Sequence, residues 1–347
     1  MRPANHQREG TSMKVDAITQ CDLADAARTA LRAEECGFDR MISAEVAHDP
    51  FLPMTLAAAA TTRISLGTGI AVAFARSPMT VAVTAADLHR QSHGRFVLGL
   101  GSQIRPHIVR RFSMPWSSPA ARMREYVQAL RAIWASWQTG GPLRFEGEFY
   151  QHTLMTPMFN HGPSEHGDPE IYLAGVGPAM TAVAGEVADG YLAHGFTTPA
   201  YLRDVTLANL QRGLDRAGRS RGGMEVSVPI FTALGHDDAE VAASSRGARA
   251  TIAFYASTPA YRPVLDHHGW GELGEELTRL SKLGAWDKMG DAIDDEVLAA
   301  FAIVGAPEDL PGEVARRYGG LVDRVQIGLS GTVRDDELGA LVDALRG

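Results

Sequence analysis

Two glycine-rich segments follow apolar runs in this sequence, and their composition is suited to binding a phosphate group. One contains Gly99 and Gly101, and the other contains Gly175 and Gly177 directly before a helix predicted to begin at Pro178. Backbone N–H groups at the start of a helix bind anions without help from a lysine. Each segment lacks the third glycine of the dinucleotide-binding fingerprint. The second segment is therefore a candidate phosphate site, and a tight strand-to-helix turn that needs glycine is the alternative.

Other motifs that carry common chemistry are absent from the sequence. It contains no P-loop, no HExxH zinc-protease helix, no GxSxG nucleophile elbow and no CxxC pair. His267 and His268 are adjacent, but no set of carboxylates or thiolates accompanies them, so we expect no metal site. Two cysteines, Cys21 and Cys36, are too few for a disulfide framework. A reducing cytoplasmic location is the simplest expectation.

The elements that must position these residues alternate regularly along the chain. Eight apolar runs are typical of buried parallel strands, at residues 15–19, 40–43, 64–70, 96–100, 171–174, 191–193, 226–233 and 324–328. Helical spacing follows most of them, with Asp22 predicted to cap the first helix and Ser77 the third. A doubly wound open sheet would need a glycine-rich loop after the first strand, where none stands. The pattern favours an α/β fold, the (β/α)8 TIM barrel, whose functional face lies at the strands' carboxyl ends.

Length and charge limit the domain organisation and the partners. The chain has 347 residues, whereas a plain barrel needs about 250. We expect a disordered tail over residues 1–12 and one domain over residues 13–347, with a long helical insertion at about 237–300 after the seventh strand. The first segment is polar and lacks the apolar core of a signal peptide, so we expect no membrane anchor. A net charge of −8 without a basic run disfavours nucleic acid and membrane surfaces as partners.

Several segments, in a fixed order, resemble the luciferase-like family. They are GFDRMIS at 37–43 followed by Glu45, LGTGI at 66–70, GRFVLGLGS at 94–102, YLAGVGP at 172–178 and AGEVADG at 184–190. This family contains bacterial luciferase, flavin-dependent monooxygenases and oxidoreductases that use the deazaflavin coenzyme F420. Segments 45–51, 71–79 and 110–116 resemble an actinobacterial F420-dependent subgroup. The resemblance therefore implies coenzyme F420 as the cofactor, and FMN is the alternative.

The resemblance also implies where the cofactor binds. In similar enzymes the ring lies across the carboxyl ends of the strands, and an acidic residue after strand two, here Glu45, contacts its polar edge. A non-proline cis peptide after strand three supports the ring, and the backbone after strand five holds the phosphate-bearing tail. The implied cofactor-binding residues are Glu45, Gly69, Ile70, Ala71, Ser102, Gly175, Val176 and Gly177. The cis bond would join Gly69 to Ile70.

Two departures from the family pattern bear on the reaction. Many relatives have a histidine directly after the acidic residue, whereas this chain has Val46, which cannot transfer a proton. We therefore expect His48 to be the catalytic acid or base, acting with Glu45, and the alternative is that His48 only holds its loop by hydrogen bonds. Relatives that oxidise sugar phosphates carry a glutamate near position 104, where this chain has Ile104. A sugar phosphate substrate is disfavoured.

Aromatic residues in the 102–118 loop and in the insertion indicate the substrate side. His107, Phe112 and Trp116 are the candidate substrate-binding residues. The insertion adds five aromatic residues, Phe254, Tyr255, Tyr261, Trp270 and Trp286. These side chains favour a bulky apolar alcohol, carbonyl compound or alkene, and packing against the barrel is their alternative role. Three functions stay open: hydride transfer with F420, FMNH2-dependent monooxygenation with a flavin reductase as partner, and cofactor binding without catalysis. We also expect a homodimer.

Overall fold

A computed structural model gives the structure of the protein and describes residues 12–328, 333–334 and 336–347. The tail expected at residues 1–12 thus lies outside the described residues except for Ser12. The hydroxyl group of Ser12 donates a hydrogen bond to the carbonyl oxygen of Arg346 at 2.6 Å. No helix in the described part of the chain is long and apolar enough to span a membrane.

The strands of the described chain form one large sheet and two small ones. They are β1 (Lys14–Thr19), β2 (Arg40–Ser43), β3 (Ser65–Thr68), β4 (Ala71–Val72), β5 (Phe96–Gly101), β6 (Phe145–Glu146), β7 (Gln151–His152), β8 (Glu170–Gly175), β9 (Gly190–Ala193), β10 (Glu225–Pro229), β11 (Phe231–Leu234), β12 (Ala302–Gly305) and β13 (Arg324–Gly328). The large sheet has the order β3-β2-β1-β13-β10-β9-β8-β5-β4, and a further pairing of β3 with β5 closes it. Eight parallel strands, with β4 as a short extension after β3, therefore form the predicted TIM barrel.

Helices follow most of the barrel strands and fill the insertion after β10. They are α1 (Ala26–Glu35), α2 (Phe51–Ala60), α3 (Pro78–Gln91), α4 (Pro119–Thr139), α5 (Pro178–Val187), α6 (Pro199–Tyr201), α7 (Leu207–Arg216), α8 (Asp238–Ala256), α9 (Arg262–His267), α10 (Gly271–Lys282), α11 (Trp286–Met289), α12 (Asp295–Phe301), α13 (Leu310–Tyr318) and α14 (Leu338–Arg346). Helices α8 to α12 lie in the chain between β11 and β12, so the insertion after the seventh barrel strand is helical as expected.

Local boundaries differ from the sequence prediction at three places. Asp22 makes no capping hydrogen bond, and α1 begins at Ala26 after a 3-10 turn, so the predicted cap is wrong. By contrast, Ser77 caps α3 by accepting a hydrogen bond from a backbone N–H. The predicted strand 64–70 is interrupted after β3. The predicted strand 226–233 ends as β10 at Pro229, which has no N–H for the ladder, and β11 pairs instead with β12.

The chain forms two compact units. The first unit comprises Ala17–Leu192 and Ala208–Glu225. The second unit comprises the described parts of Met1–Asp16, Ala193–Leu207 and Val226–Gly347. Every residue predicted to bind the cofactor or to act in catalysis belongs to the first unit. The two units are described separately below.

Each unit buries an ionic network near the amino ends of its barrel strands. In the first unit the Arg40 guanidinium lies 3.3 Å from the Tyr172 hydroxyl group, which donates a hydrogen bond to Glu225. Burial raises the pKa of Tyr172, so this phenol stays neutral. In the second unit the guanidinium of Arg324 donates to both oxygens of Asp16, with Nη2–Oδ1 at 2.5 Å and Nε–Oδ2 at 2.8 Å. Both side chains of this second pair are buried.

Replacing Asp16 with asparagine should strongly destabilise the protein. The Asp16→Asn variant keeps the shape of the side chain but removes the negative charge that pairs with the buried Arg324 guanidinium. We expect the free energy of unfolding, measured by urea denaturation, to fall by about 3–5 kcal/mol. Arg28→Ala, which removes an exposed pair with Asp25, is the control and should cost less than about 1 kcal/mol. Equal losses for the two variants would contradict the assignment.

Candidate functional site

The candidate site of the first unit lies at the carboxyl ends of four neighbouring parallel strands. Strand β2 pairs with β3, β3 with β5, and β5 with β8, so the loops after these strands leave the barrel at one edge. Glu45, Ile70 and Ser102 stand in the first three loops, and Gly175 ends β8. The fold therefore brings the predicted cofactor-binding residues to the same edge.

Glu45 is held by contacts with the segment that follows β3. Its side chain is only 5% exposed. The Oε2 atom accepts hydrogen bonds from the backbone N–H of Val72 and from the guanidinium of Arg76, both at 2.7 Å. The backbone N–H of Glu45 donates to the carbonyl oxygen of Ile70 at 3.2 Å. Within the described residues Oε1 accepts no hydrogen bond, so one carboxylate oxygen is left for a ligand.

Arg76 is a site residue that the sequence analysis did not identify. Its guanidinium bridges two carboxylates, donating to Glu45 and, at 2.9 Å, to Oδ2 of Asp49. Burial disfavours its charge, but the hydrogen bonds and charges of the two carboxylates outweigh burial and raise the pKa of Arg76. The other oxygen of Asp49 accepts from the backbone N–H of Phe51 at 2.8 Å and so holds the start of α2. In the sequence, the one indication of this role is that Arg76 is the single basic residue of the mostly apolar segment 71–79.

An apolar surface borders Glu45. The half-buried side chains of Ile70 and Ala174 form it, and they pack on a buried cluster made of Val97, Tyr172 and Leu192. Ile70 stands after β3 and Ala174 stands near the end of β8. This surface has the chemistry needed to support one face of a flat ring system.

The backbone beneath Ile70 has the predicted geometry. The peptide bond between Gly69 and Ile70 is cis. Gly101 leaves room for the Ile70 side chain, because a Cβ at position 101 would lie 2.9 Å from two of its carbon atoms. At Gly69 an added Cβ would lie 2.3 Å from a methyl carbon of Ile42. Neither glycine can therefore be replaced without moving these isoleucines. Next to them Ala71 is buried in β4.

The segment after β8 leads into α5 through backbone that is free to approach a ligand. The carbonyl oxygen of Gly175 accepts a hydrogen bond from the Tyr191 hydroxyl group. Gly177 is exposed, and a Cβ added there would meet no atom within 4 Å. The first N–H groups of a helix have no intrahelical acceptor. The half-buried Val176 and its neighbours thus present an open helix start that can hold an anion.

His48 lies apart from these groups. Its imidazole is 69% exposed, and its Nε2 atom is 3.8 Å from Oδ1 of Asp22. Its ionic neighbour is therefore Asp22, whereas Glu45 pairs with Arg76. The structure brings Glu45 to the apolar surface and leaves the role of His48 in proton transfer as a prediction.

The 102–118 loop is tied to the loop after β2. The guanidinium of Arg111 donates to the carbonyl oxygen of Val46 at 2.5 Å and also covers the half-buried ring of Phe112 at 5.0 Å. Trp116 meets the buried ring of Phe74 edge-on, with the centroids 6.0 Å apart. Phe112 and Trp116 thus have packing partners within this unit, and their predicted contact with a substrate is a further role.

Two polar residues of the same loop had predicted binding roles. The hydroxyl group of Ser102 donates to the carbonyl oxygen of Gln103 at 3.1 Å, and its side chain is half-buried. His107 is half-buried, and its Nδ1 atom has no hydrogen-bond partner among the described residues. A buried ring nitrogen without a partner is costly, so this atom is suited to a ligand or a water molecule.

The second unit contains an aromatic cluster that the sequence analysis identified only in part. We define it by His194, Phe231, Tyr255 and Tyr261. His194 directly follows β9 and stacks on Tyr261, with centroids 4.5 Å apart, while Tyr255 meets its ring edge-on at 4.9 Å. Burial lowers the pKa of His194 to about 4, so the imidazole is neutral at pH 7. The two tyrosines were among the aromatic residues of the insertion that the sequence offered for substrate binding. His194 was not, and its position directly after a strand was the signal that could have indicated it.

Comparisons with known proteins are consistent with this structure. Residues 3–324 match the family described as luciferase-like monooxygenase. An uncharacterized protein of Mycobacterium tuberculosis is 55% identical over 313 residues, which cover 90% of this chain and 92% of that protein. A putative coenzyme F420-dependent oxidoreductase of the same organism is 29% identical, with 79% of this chain and 81% of that protein covered.

A solved structure has the same fold. The coenzyme F420-dependent tetrahydromethanopterin reductase from Methanopyrus kandleri superposes on this chain with a TM-score of 0.79. The superposition covers 97% of this chain and 98% of that protein, at 21% sequence identity. Because the identity is low, this similarity supports the barrel fold alone.

Acidification should destabilise the protein through His194. In the unfolded chain its pKa is near the ordinary 6.5, whereas in the folded protein it is about 4. Between these values the unfolded state binds a proton that the folded state does not, so stability is lost as pH falls. From pH 7.5 to pH 5 the wild type should lose about 2 kcal/mol more than His194→Gln, by urea denaturation.

The control for this measurement is His48→Gln, since the side chain of His48 is exposed. In this variant the loss of about 2 kcal/mol that we attribute to His194 should persist. An unchanged pH dependence in His194→Gln would show that the imidazole is not desolvated in the folded protein.

Proposed function

Because the chain belongs to the luciferase-like monooxygenase family, we propose that it is an oxidoreductase that binds coenzyme F420 at the carboxyl edge of β2, β3, β5 and β8. The observation that carries the proposal is the arrangement of a buried acceptor, an apolar surface and a helix start without basic side chains at this edge. Glu45, Ile70 and Gly177 represent these three features. They match the polar edge, the flat face and the phosphate of a deazaflavin.

The residues present fit the ring. Oε1 of Glu45 has no partner among the described residues and would accept a hydrogen bond from an N–H group at the ring's polar edge. Arg76 holds the other carboxylate oxygen and prevents the side chain from turning away. Ile70 and Ala174 would support the ring face, since both are half-buried on a packed cluster.

The helix start favours F420 over FMN. The phosphate of F420 is a diester with one negative charge, whereas a phosphate monoester such as that of FMN carries about −1.5 to −2 at pH 7. Residues 171–181 contain no lysine or arginine, and the start of a helix provides roughly half a positive charge. Backbone N–H groups alone are better matched to the single charge. Gly177 allows the phosphate a close approach because it has no side chain.

Bound F420 supplies the chemistry of hydride transfer to or from a carbon atom. The chain's own residues orient the ring, exclude water and move a proton. Glu45 would act as a hydrogen-bond acceptor, because Val72 and Arg76 hold its Oε2 atom and leave Oε1 for the ring. His48 would give or take the proton of an apolar alcohol, carbonyl compound or alkene, and the 102–118 loop, tied to Val46 by Arg111, would cover the site. The homodimer and the cytoplasmic location stay predictions.

The first test compares the two cofactors. Purified protein is titrated with F420 and, separately, with FMN, and binding is followed by fluorescence. We expect F420 to bind at least about tenfold more tightly, a difference of about 1.4 kcal/mol. Glu45→Gln should weaken F420 binding by about the same factor, because it replaces the paired carboxylate. The exposed Glu35→Gln in α1 is the matched control and should bind F420 as the wild type does.

Tighter binding of FMN would contradict the proposal. Oxygen consumption with reduced FMN would then favour a monooxygenase that requires a flavin reductase. Tight binding of F420 without turnover of any alcohol or carbonyl compound would favour a binding protein without catalysis.

The second test concerns His48. His48→Ala should lower turnover of ketones and aldehydes with reduced F420 by roughly 100-fold or more, because a positioned acid or base contributes about 10²–10⁴-fold. The affinity for F420 should not change, since His48 contacts none of the residues assigned to the cofactor. Turnover near that of the wild type would refute the catalytic role and would leave His48 as a loop residue.

A further inference from the structure

We propose that the hydroxyl group of Tyr261, oriented by His194, donates a hydrogen bond to the oxygen atom of an uncharged, apolar carbonyl compound. That the bound carbonyl compound is a substrate rests on the proposed oxidoreductase function. The hydrogen-bond geometry is independent of that function. All the residues concerned belong to the second unit. Tyr261 is the binding group, and His194 is a positioning residue.

The hydrogen bonds of His194 determine which of its nitrogens carries the proton. The backbone N–H of Phe196 donates to Nδ1 at 2.9 Å, so Nδ1 must be unprotonated. A neutral imidazole carries one proton, which therefore stands on Nε2. Nε2 lies 3.1 Å from the hydroxyl oxygen of Tyr261, and this N–H group donates to that oxygen.

The O–H group of Tyr261 is consequently available to donate a hydrogen bond to a ligand. Its oxygen accepts from His194, so its own O–H must point elsewhere, and within the described residues it has no acceptor. Burial raises the pKa of Tyr261 to about 12, so the group remains a neutral donor at any physiological pH. A donor with a fixed direction and no protein acceptor is suited to a ligand oxygen.

The surroundings of this donor are apolar and aromatic. The aromatic cluster is contiguous: Tyr255 lies 5.9 Å from Tyr261, and Phe231 stacks on Tyr255 at 6.3 Å. All four members are half-buried, so the cluster presents partly exposed aromatic surface rather than sealed core. Flat apolar groups bind well to such a surface.

The charge around Tyr261 disfavours an anion as the ligand. Arg262, the next residue in the chain, is engaged by Asp266 and by Glu275, each at 2.9 Å. His194 is neutral, because desolvation lowers its pKa to about 4. A carboxylate or phosphate would therefore find a hydrogen-bond donor but no counter-charge.

A quaternary ammonium ion, the other usual ligand of aromatic clusters, needs open ring faces. Here one face of Tyr261 is stacked by His194 with the ring planes 26° apart, and one face of Tyr255 is stacked by Phe231 with the planes 19° apart. Ring faces of the cluster thus stack on one another and are not open to a cation. The cluster offers an O–H group with a fixed direction instead. An uncharged acceptor attached to an apolar body fits these features best.

The test measures binding of acetophenone and of ethylbenzene to the cofactor-free protein by saturation-transfer NMR. The two probes have similar apolar bodies, and only acetophenone has a carbonyl oxygen. We expect the wild type to bind acetophenone more tightly than ethylbenzene. Tyr261→Phe should weaken acetophenone binding by about tenfold, the loss of one hydrogen bond, and should leave ethylbenzene binding unchanged.

Further variants distinguish a positioning role of His194 from a general effect on the fold. His194→Phe keeps an aromatic ring but removes the N–H group, so it should weaken acetophenone binding several-fold and spare ethylbenzene. His194→Gln, which keeps an N–H donor, should recover part of this loss. Tyr318→Phe removes the hydroxyl group of a buried tyrosine in α13, outside the aromatic cluster, and should bind both probes as the wild type does. Thermal melts confirm that each variant is folded.

Several results would overturn the proposal. They are equal binding of both probes by the wild type, unchanged acetophenone binding by Tyr261→Phe, an equal loss for both probes, and binding of tetramethylammonium in preference to acetophenone. Because no cofactor is present, these outcomes are distinct from a failure of F420 to bind at Glu45 and Gly177.

Discussion

The close approach of β3 and β5 at Thr68 and Gly99 is the contact on which barrel closure and the candidate site both depend. The Thr68 hydroxyl group donates to the carbonyl oxygen of Gly99 at 2.7 Å and accepts from its N–H at 3.0 Å. A Cβ at position 99 would lie 1.8 Å from the carbonyl oxygen of Thr68, so only glycine permits this approach. Strand β3 ends at Thr68, two residues before Ile70, and β5 ends at Gly101, so this contact lies beside the candidate site.

The candidate site of the first unit uses few charges, and each has a fixed partner. Arg76 joins Glu45 to Asp49, so ion pairs tie the segment after β3 to the loop after β2. The candidate anion site before α5 contains no basic side chain and offers backbone N–H groups instead. The second unit differs, because the neutral pair of His194 and Tyr261 provides a hydrogen-bond donor with a fixed direction and no charge.

The strands were predictable because a buried parallel strand needs an uninterrupted apolar run, and such runs are visible in one dimension. The candidate cofactor residues were named only through the family resemblance. Of what it implied, the cis bond between Gly69 and Ile70 is present in the structure. The predicted cap at Asp22 was wrong, because aspartate is common both at helix caps and in exposed turns. The sequence alone does not distinguish these two positions. The run 226–233 was also misread, since apolar periodicity alone does not show that a strand changes sheet after Pro229.

The sequence by itself determined the barrel class and the helical insertion, because these depend on local patterns of apolar residues, glycine and proline. Tertiary structure alone decided which side chains meet. Arg76 lies 31 residues from Glu45, and Tyr261 lies 67 residues from His194. Side-chain partners at such distances are set by strand order and loop geometry. Only the folded chain shows that Glu45 is paired, that His48 faces Asp22, and that His194 directs the hydroxyl group of Tyr261.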